Sequence, residues 1–235
     1  MGILGDIAPL FKKRELALVE VYQEFDDIYT FIFKKEQNLS WKAGQHGVFT
    51  ILHKKINKPT RPFTLASAPS ENIVKISMRI GENPSEFKKA MLELEQGMKI
   101  SMRGPIGPLY INDDHPSLLV AGGIGITPFR AMLKEAEHHP NRTAPLELLY
   151  ISRGENFLYK DELAEIAKTT SIQVNFLNAR EDLYQGIDEF ITMHKHNGRF
   201  YVAGEKTMVD SVATYLKNKN IAKSQIKKDV FIGYK

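Results

Sequence analysis

In the stretch RPFTLAS, Arg61 carries a permanent positive charge, Phe63 a flat ring, and Thr64 and Ser67 each a hydroxyl. A guanidinium is a planar fork of donors that suits phosphate oxygens. A ring stacks on another flat ring, and a hydroxyl both donates and accepts. The residue types by themselves leave open why one cation, one ring and two hydroxyls stand within seven residues. Read without a ligand, the same stretch is an edge strand broken by Pro62.

A second set of residues lies in SLLVAGGIGITP, where Gly122, Gly123, Gly125, Thr127 and Pro128 follow an apolar run. The spacing Gly123-x-Gly125-x-x-Pro128 approaches a dinucleotide-binding turn, with proline in the place of the third glycine. Thr127 is expected to cap the following helix, and Pro128 to take its first position. Free N–H groups and the positive helix end would then face a phosphate. A tight structural turn would use the glycines equally well. A third set, Gly81-Glu82-Asn83-Pro84-Ser85, opens another helix. It reads either as a cap by Asn83 or Ser85 or as another phosphate seat. One phosphate-ready helix start in each half suggests two nucleotides meeting at a domain boundary, where pockets occur.

The elements that must position these residues differ between the halves. LALVEVYQ, YTFIFK, GVFTIL, IVKISMRI and MKISMRG are rich in β-branched and aromatic residues, and PSEFKKAMLEL has helical spacing. Short strands with one helix predict an antiparallel barrel. Beyond NDDHP at 112 to 116 the rhythm changes. The short apolar runs SLLVAGG, LELLYIS, IQVNFL and RFYVAG alternate with the amphipathic segments PFRAMLKEAEHH, YKDELAEIAKTT, IDEFITMHKH and TMVDSVATYLKNKN. That alternation predicts a parallel sheet covered by helices, an α/β nucleotide-binding architecture.

Composition removes several classes of function. At 235 residues, 43% apolar and 26% charged, the chain suits one large or two ordinary globular domains. With no cysteine, disulfides and cysteine-held zinc or iron–sulfur clusters are excluded. The net charge of +4 favours an acidic partner, but no basic stripe marks a nucleic-acid binder. The run Leu118 to Ile126 is far short of a transmembrane segment. MGILGDIAPLFKKRE has the wrong order for a secretory signal, so a cytoplasmic location is expected. His138-His139 and His194-x-His196 lack a third ligand and read as solvated, so no metal site is expected. Asp113-Asp114 reads as a linker.

The order AGQ, RPFTLAS, GENPS, GPIG, GGIGITP and VAGEKTM resembles the ferredoxin–NADP(H) reductase superfamily over nearly all of the chain. The resemblance implies an FAD-binding barrel over residues 1–113 and an NAD(P)H-binding α/β domain over residues 114–235. It implies that Arg61 pairs with the flavin pyrophosphate, assisted by Gly81 and Ser85. Phe63 would lie on the isoalloxazine face, with Pro62 and Ser67 in the same binding stretch, and Thr64 would reach the flavin N5 atom as the catalytic hydroxyl. Gly122, Gly123, Gly125, Thr127, Pro128, Gly204 and Met208 would hold the nicotinamide nucleotide. Arg153 and Arg180, past the ends of two parallel strands, would favour NADPH over NADH, although Glu181 and Ala179 count against this.

Phe63 stands where the family usually has tyrosine, and Ala203 where it usually has cysteine. The C-terminal VFIGYK offers Phe231 or Tyr234 either as flavin neighbours or as core. The implied activity is hydride transfer from NAD(P)H to FAD and onward transfer to a separate acceptor, such as a ferredoxin, flavodoxin, haem protein or oxygenase component. The alternatives are a flavin-free nicotinamide dehydrogenase and a non-catalytic nucleotide-sensing or electron-transfer subunit of a larger complex.

Overall fold

The computed structural model describes residues 12–138, 143–154, 156–194 and 197–231. His139, His196 and Tyr234 therefore lie outside the described residues. Compactness divides the chain between Tyr110 and Ile111.

The first unit contains β1 (Arg14–Phe25), β2 (Ile28–Lys34), β3 (His46–Ile51), β4 (Thr60–Thr64), β5 (Ile73–Arg79), α1 (Glu86–Leu92) and β6 (Lys99–Ile106). Its sheet has the order β4-β3-β6-β1-β2-β5, antiparallel throughout. Along β3 the residues Gly47, Phe49 and Ile51 are buried while His46, Val48 and Thr50 are half-exposed, the period of two expected for one inward face. Leu16, Phe31, Phe33, Phe49, Ile100 and Met102 have no exposed surface and fill that interior.

Just past β4 the chain turns against β5 and joins the two ends of the sheet. The Ala66 N–H donates to the Lys75 carbonyl at 2.8 Å. The Ser67 hydroxyl donates to the Ile73 carbonyl at 2.9 Å and accepts the Lys75 N–H at 3.0 Å. These bonds close the sheet into the barrel expected from the sequence. The Ser67 side chain is fully buried and its hydroxyl bonds to β5, so it supports the stretch that carries Arg61, Phe63 and Thr64. The Trp41 indole N–H donates to the Ser67 carbonyl at 3.0 Å and reinforces the same joint.

The second unit alternates β7 (Ser117–Gly122), α2 (Ile126–Glu137), β8 (Leu146–Ile151), α3 (Lys160–Thr169), β9 (Gln173–Leu177), α4 (Arg180–His194), β10 (Arg199–Glu205), α5 (Lys206–Asn218) and β11 (Ile226–Phe231). All five strands are parallel, in the order β11-β10-β7-β8-β9. β7 thus has β8 on one side and β10 on the other, which makes their carboxyl ends the point where the winding reverses. Asp113 and Asp114 brace the entry to this unit. Asp114 accepts from the Thr143 hydroxyl at 2.8 Å, and Asp113 lies 3.6 Å from Arg199.

Three local differences from expectation have physical causes. α4 starts well before Ile187 and runs through Gly186, where a Cβ would stand only 3.0 Å from the Leu149 side chain. Glycine lets this helix settle close to β8. β11 escapes sequence patterning because it is an edge strand, half-exposed along most of its length and carrying Lys227 and Lys228. Phe231 ends it, in register with Glu205. Pro84 precedes the cap residue Ser85 and does not enter α1. Among the described residues, no helix is long and apolar enough to cross a membrane.

The barrel joint generates a test. Ser67→Ala leaves a buried N–H and a buried carbonyl without the hydroxyl, at a cost of about 1–3 kcal/mol. Urea unfolding is expected to show a lower midpoint with an unchanged slope. An unchanged midpoint would remove Ser67 from the closure.

Candidate functional site

β4 carries the first set of candidates. It pairs with β3 in the register Arg61↔Phe49, Pro62↔Val48, Phe63↔Gly47 and Thr64↔His46. Alternation puts Arg61 and Phe63 on one face, Pro62 and Thr64 on the other. Pro62 is exposed, and its missing N–H is tolerated because β4 ends the ladder. Phe63 is half-buried, stacked on Phe87 of α1 at 5.6 Å and edge-on to Phe49 at 6.2 Å. The Arg61 guanidinium is steadied by its own loop, with Nη1 donating to the carbonyls of Lys58 at 3.1 Å and Thr60 at 2.8 Å. The side chain of Thr64 is nearly buried, yet its hydroxyl has no hydrogen-bond partner among the described residues. A steadied cation and a ring fixed by packing thus share one face of β4, and the uncommitted Thr64 hydroxyl belongs to the other.

The helix start at Gly81 to Ser85 weighs both ways. Ser85 occupies the cap position of α1 without a side-chain bond, so the first N–H groups are not claimed by its hydroxyl. Against this, Glu86 stands in the first turn, where its carboxylate accepts the Asn57 N–H at 2.9 Å. The Asp27 carboxylate lies beside Gly81, 3.5 Å from where a Cβ would be, and is compensated by Arg79 at 2.7 Å. Lys88, one turn into α1, is held below the ordinary lysine range by burial, with Arg79 adding to the effect and Asp27 opposing it. Among the described residues, the Asp27 carboxylate at ordinary contact distance is the only neighbour a Cβ at position 81 would meet.

In the second unit, the glycine turn sits at the winding reversal. A short helical turn over Gly123–Gly125 runs directly into α2. This moves the helix start earlier than the sequence implied. Gly125 is the cap residue, while Thr127 and Pro128 are already inside the first turn. The Thr127 hydroxyl is buried and donates to the Ile124 carbonyl at 3.2 Å, so it caps nothing. Pro128 remains compatible because N–H groups of the first turn have no intrahelical partner.

The glycines have distinct duties. Gly125 presses on β10, since a Cβ there would stand 2.3 Å from the Ala203 carbonyl oxygen. Gly122 and Gly204 both leave room for Met208, whose Cε would lie 2.5 Å and 2.7 Å from their added Cβ atoms. Gly123 is different. Its φ is +53°, and a Cβ would meet nothing within 4 Å. The backbone there is bare and open, the condition under which a pyrophosphate can come close. Ala203 is fully buried in β10.

Arg153 follows β8 and Arg180 opens α4 just past β9, so adjacent parallel strands deliver both to the same sheet edge. Both are exposed, and neither has an ion-pair partner among the described residues. The Arg153 loop is anchored by an aromatic cluster, Tyr150 and Phe176 each 5.1 Å from Phe157. Sequence reading missed Arg130. It is buried in α2 and grips Glu162 of α3 through Nε at 2.9 Å and Nη2 at 2.5 Å, and it faces the Tyr159 ring. No pattern marks such a pair, because α2 and α3 meet only in the folded unit.

The sequence matches the family model of an FAD-binding domain over residues 11–110 and that of an oxidoreductase NAD-binding domain over residues 119–214. The flavohemoprotein of Oceanobacillus iheyensis is 24% identical over 242 positions, covering 93% of this chain and 59% of that protein. The chain thus spans about six-tenths of that relative's length. The NAD(P)H-flavin reductase of Vibrio harveyi is 26% identical over 220 positions, covering 84% of this chain and 89% of the relative. The ferredoxin–NADP+ reductase of Neisseria gonorrhoeae, solved with FAD and NADP, superposes with a TM-score of 0.78 at 18% identity and covers 93% of this chain and 98% of its own. That likeness establishes the shared fold.

The two glycines of the turn are expected to respond differently to alanine. Gly123→Ala costs about 1–2 kcal/mol for the left-handed backbone and leaves the fold intact. Gly125→Ala drives a methyl group into the β10 backbone and costs more, on the order of 3 kcal/mol or above. Thermal unfolding of both variants decides this, and equal losses would contradict the division of roles.

Proposed function

The chain belongs to the ferredoxin–NADP(H) reductase superfamily of oxidoreductases, with an FAD-binding domain ahead of an NAD-binding domain, and on that premise we propose that it takes hydride from NADPH onto FAD and passes the electrons to a separate, acidic acceptor protein. One observation carries the reading. The stretch matching an FAD-binding domain contains Arg61, Phe63 and Thr64 on β4, and the stretch matching an NAD-binding domain contains the open turn at Gly123.

In this reading Arg61 holds the flavin pyrophosphate by a charge-assisted bond, with the Gly81–Ser85 helix start as a weaker second anchor. Phe63, kept upright by Phe87 and Phe49, offers its ring to the isoalloxazine. Thr64 is the catalytic hydroxyl, whose uncommitted lone pairs and proton serve a ring nitrogen. Bound FAD supplies the conversion between a two-electron donor and one-electron acceptors, while the protein supplies orientation and electrostatics. Gly122, Gly123 and Gly125 let the nicotinamide nucleotide approach the backbone, and Gly204 with Met208 forms the neighbouring wall. With Ala203 buried, no thiol assists at that wall. These 235 residues contain no cysteine, so none of them holds a cysteine-ligated cluster.

The purified protein is expected to be yellow and to release FAD on heating. Arg61→Ala is expected to weaken FAD roughly tenfold to a hundredfold, the loss of one charge-assisted contact. Titrating FAD into the stripped proteins measures it, and equal affinities would refute the role. Release of FMN would refute the pyrophosphate site itself.

NADPH preference rests on Arg153 and Arg180 at the edge where doubly wound sheets bind ligands. A 2′-phosphate is a dianion suited to two arginines that have no ion-pair partner among the described residues, although Glu181 and Asp182 share the first turn with Arg180. Arg180→Ala is expected to weaken NADPH roughly tenfold to a hundredfold while leaving NADH nearly unchanged. Kinetics with both nucleotides at fixed ionic strength test it. A wild-type preference for NADH, or equal losses for both nucleotides, would overturn the assignment.

A further inference from the structure

Arg130 is a buried cation in α2, the helix that begins at the glycine turn, and only 2% of its side chain is exposed. Its guanidinium forks onto Glu162 of α3, Nε donating to Oε2 at 2.9 Å and Nη2 to Oε1 at 2.5 Å. Its Cζ also lies 5.2 Å from the centre of the Tyr159 ring. Tyr159 immediately precedes α3 with a φ of +66°, a left-handed state that a bulky residue rarely adopts. A charge pair taken this far from water adds little net stability over an apolar replacement of similar shape. The planar fork does, however, fix the orientation of the two elements that it joins.

The connection gripped at Tyr159 and Glu162 is the one that carries Arg153. At its start the Ser152 N–H donates to the Leu177 carbonyl of β9 at 3.2 Å, and the Ser152 hydroxyl donates to the Asn156 carbonyl at 3.1 Å. Farther along, the Leu158 N–H donates to the Tyr150 hydroxyl of β8 at 3.2 Å, and Phe157 stands edge-on to the Tyr150 ring at 5.1 Å. At the other end of the run, Gly125 sets the start of α2 against β10. A continuous series of contacts, all within the second unit, therefore links the open backbone at Gly123 to the backbone that carries Arg153.

We propose that Arg130 is a positioning residue for Arg153, an inference that deepens the NADPH reading and rests on it. The pyrophosphate and the 2′-phosphate belong to one ligand, and covalent bonds set their separation. The protein must hold Gly123 and Arg153 at a matching separation to engage both. Arg130 holds it by clamping α2, which begins at the glycine turn, to the connection from β8 to α3. Arg130 touches neither phosphate and acts through Arg153.

A double-mutant cycle tests this, with the ratio of kcat/KM for NADPH to that for NADH as the readout. The proteins are wild type, Arg130→Met, Arg153→Ala and the double variant. Methionine fills an irregular space without charge. Glu162 then keeps Lys134 at 3.9 Å and a side chain 29% exposed, so it is not left as a buried, unpaired charge. Arg130→Met is expected to lower the ratio roughly threefold to tenfold, and to leave it unchanged in the Arg153→Ala background. A purely structural role would instead weaken both nucleotides alike. Glu162→Gln, which breaks the pair from its partly exposed end, carries the cycle if Arg130→Met fails to fold. A ratio that stays at the wild-type value, or a drop that persists in the Arg153→Ala background, would overturn the positioning role and leave the NADPH reading standing. A wild-type preference for NADH, or an Arg153→Ala protein with the wild-type ratio, would overturn both the positioning role and the assignment of Arg153.

Discussion

The closure of the first sheet, a few residues past RPFT, is the constraint from which the arrangement of the β4 candidates follows. Ser67 and Ala66 bond to β5 and turn an open six-stranded sheet into a barrel. β4 is thereby held at a fixed register on β3 and at a fixed distance from β5. Arg61, Phe63 and Thr64 have no freedom to drift because the residues after them are locked into a buried, fully satisfied joint. Buried polar groups confer such rigidity only when every partner is present. Here the hydroxyl, the indole of Trp41 and the backbone of Lys75 meet that condition. The phenylalanine in place of the family's tyrosine is compatible with this design. Phe63 is fixed by ring contacts to Phe87 and Phe49 and needs no hydroxyl to hold it.

The second unit solves a different problem, that of exposing backbone without leaving a void. Gly125 packs against β10 so closely that any side chain would clash, and this contact fixes how the turn sits over the sheet. With the turn so fixed, Gly123 can stand in open space at a positive φ. Met208 fills the gap left by Gly122 and Gly204, and an unbranched, polarizable side chain suits so irregular a space. Three glycines, one methionine and the reversal in strand order thus produce one bare patch of backbone. Arg130, buried in α2, pairs with the partly exposed Glu162 of α3 and anchors the helix that carries the turn.

Much of this protein was legible in its sequence. Period-two runs before residue 112 and apolar runs alternating with helical segments after it are local properties, and they specified an antiparallel unit followed by a parallel one. The candidates on β4 and in the glycine turn could be named because their chemistry is written in residue type and short spacing. What local pattern could not supply was everything that depends on a partner distant in the chain. Ser67 looked like a ligand-facing hydroxyl, and only pairing with β5 shows that it is spent on closure. Thr127 and Pro128 looked like a cap and a first helical residue, yet Gly125 packing on β10 starts the helix earlier. β11 carries no apolar run because an edge strand needs none. Residue chemistry is local and can be read in order, whereas burial and register are set by contacts that exist only once the chain has folded.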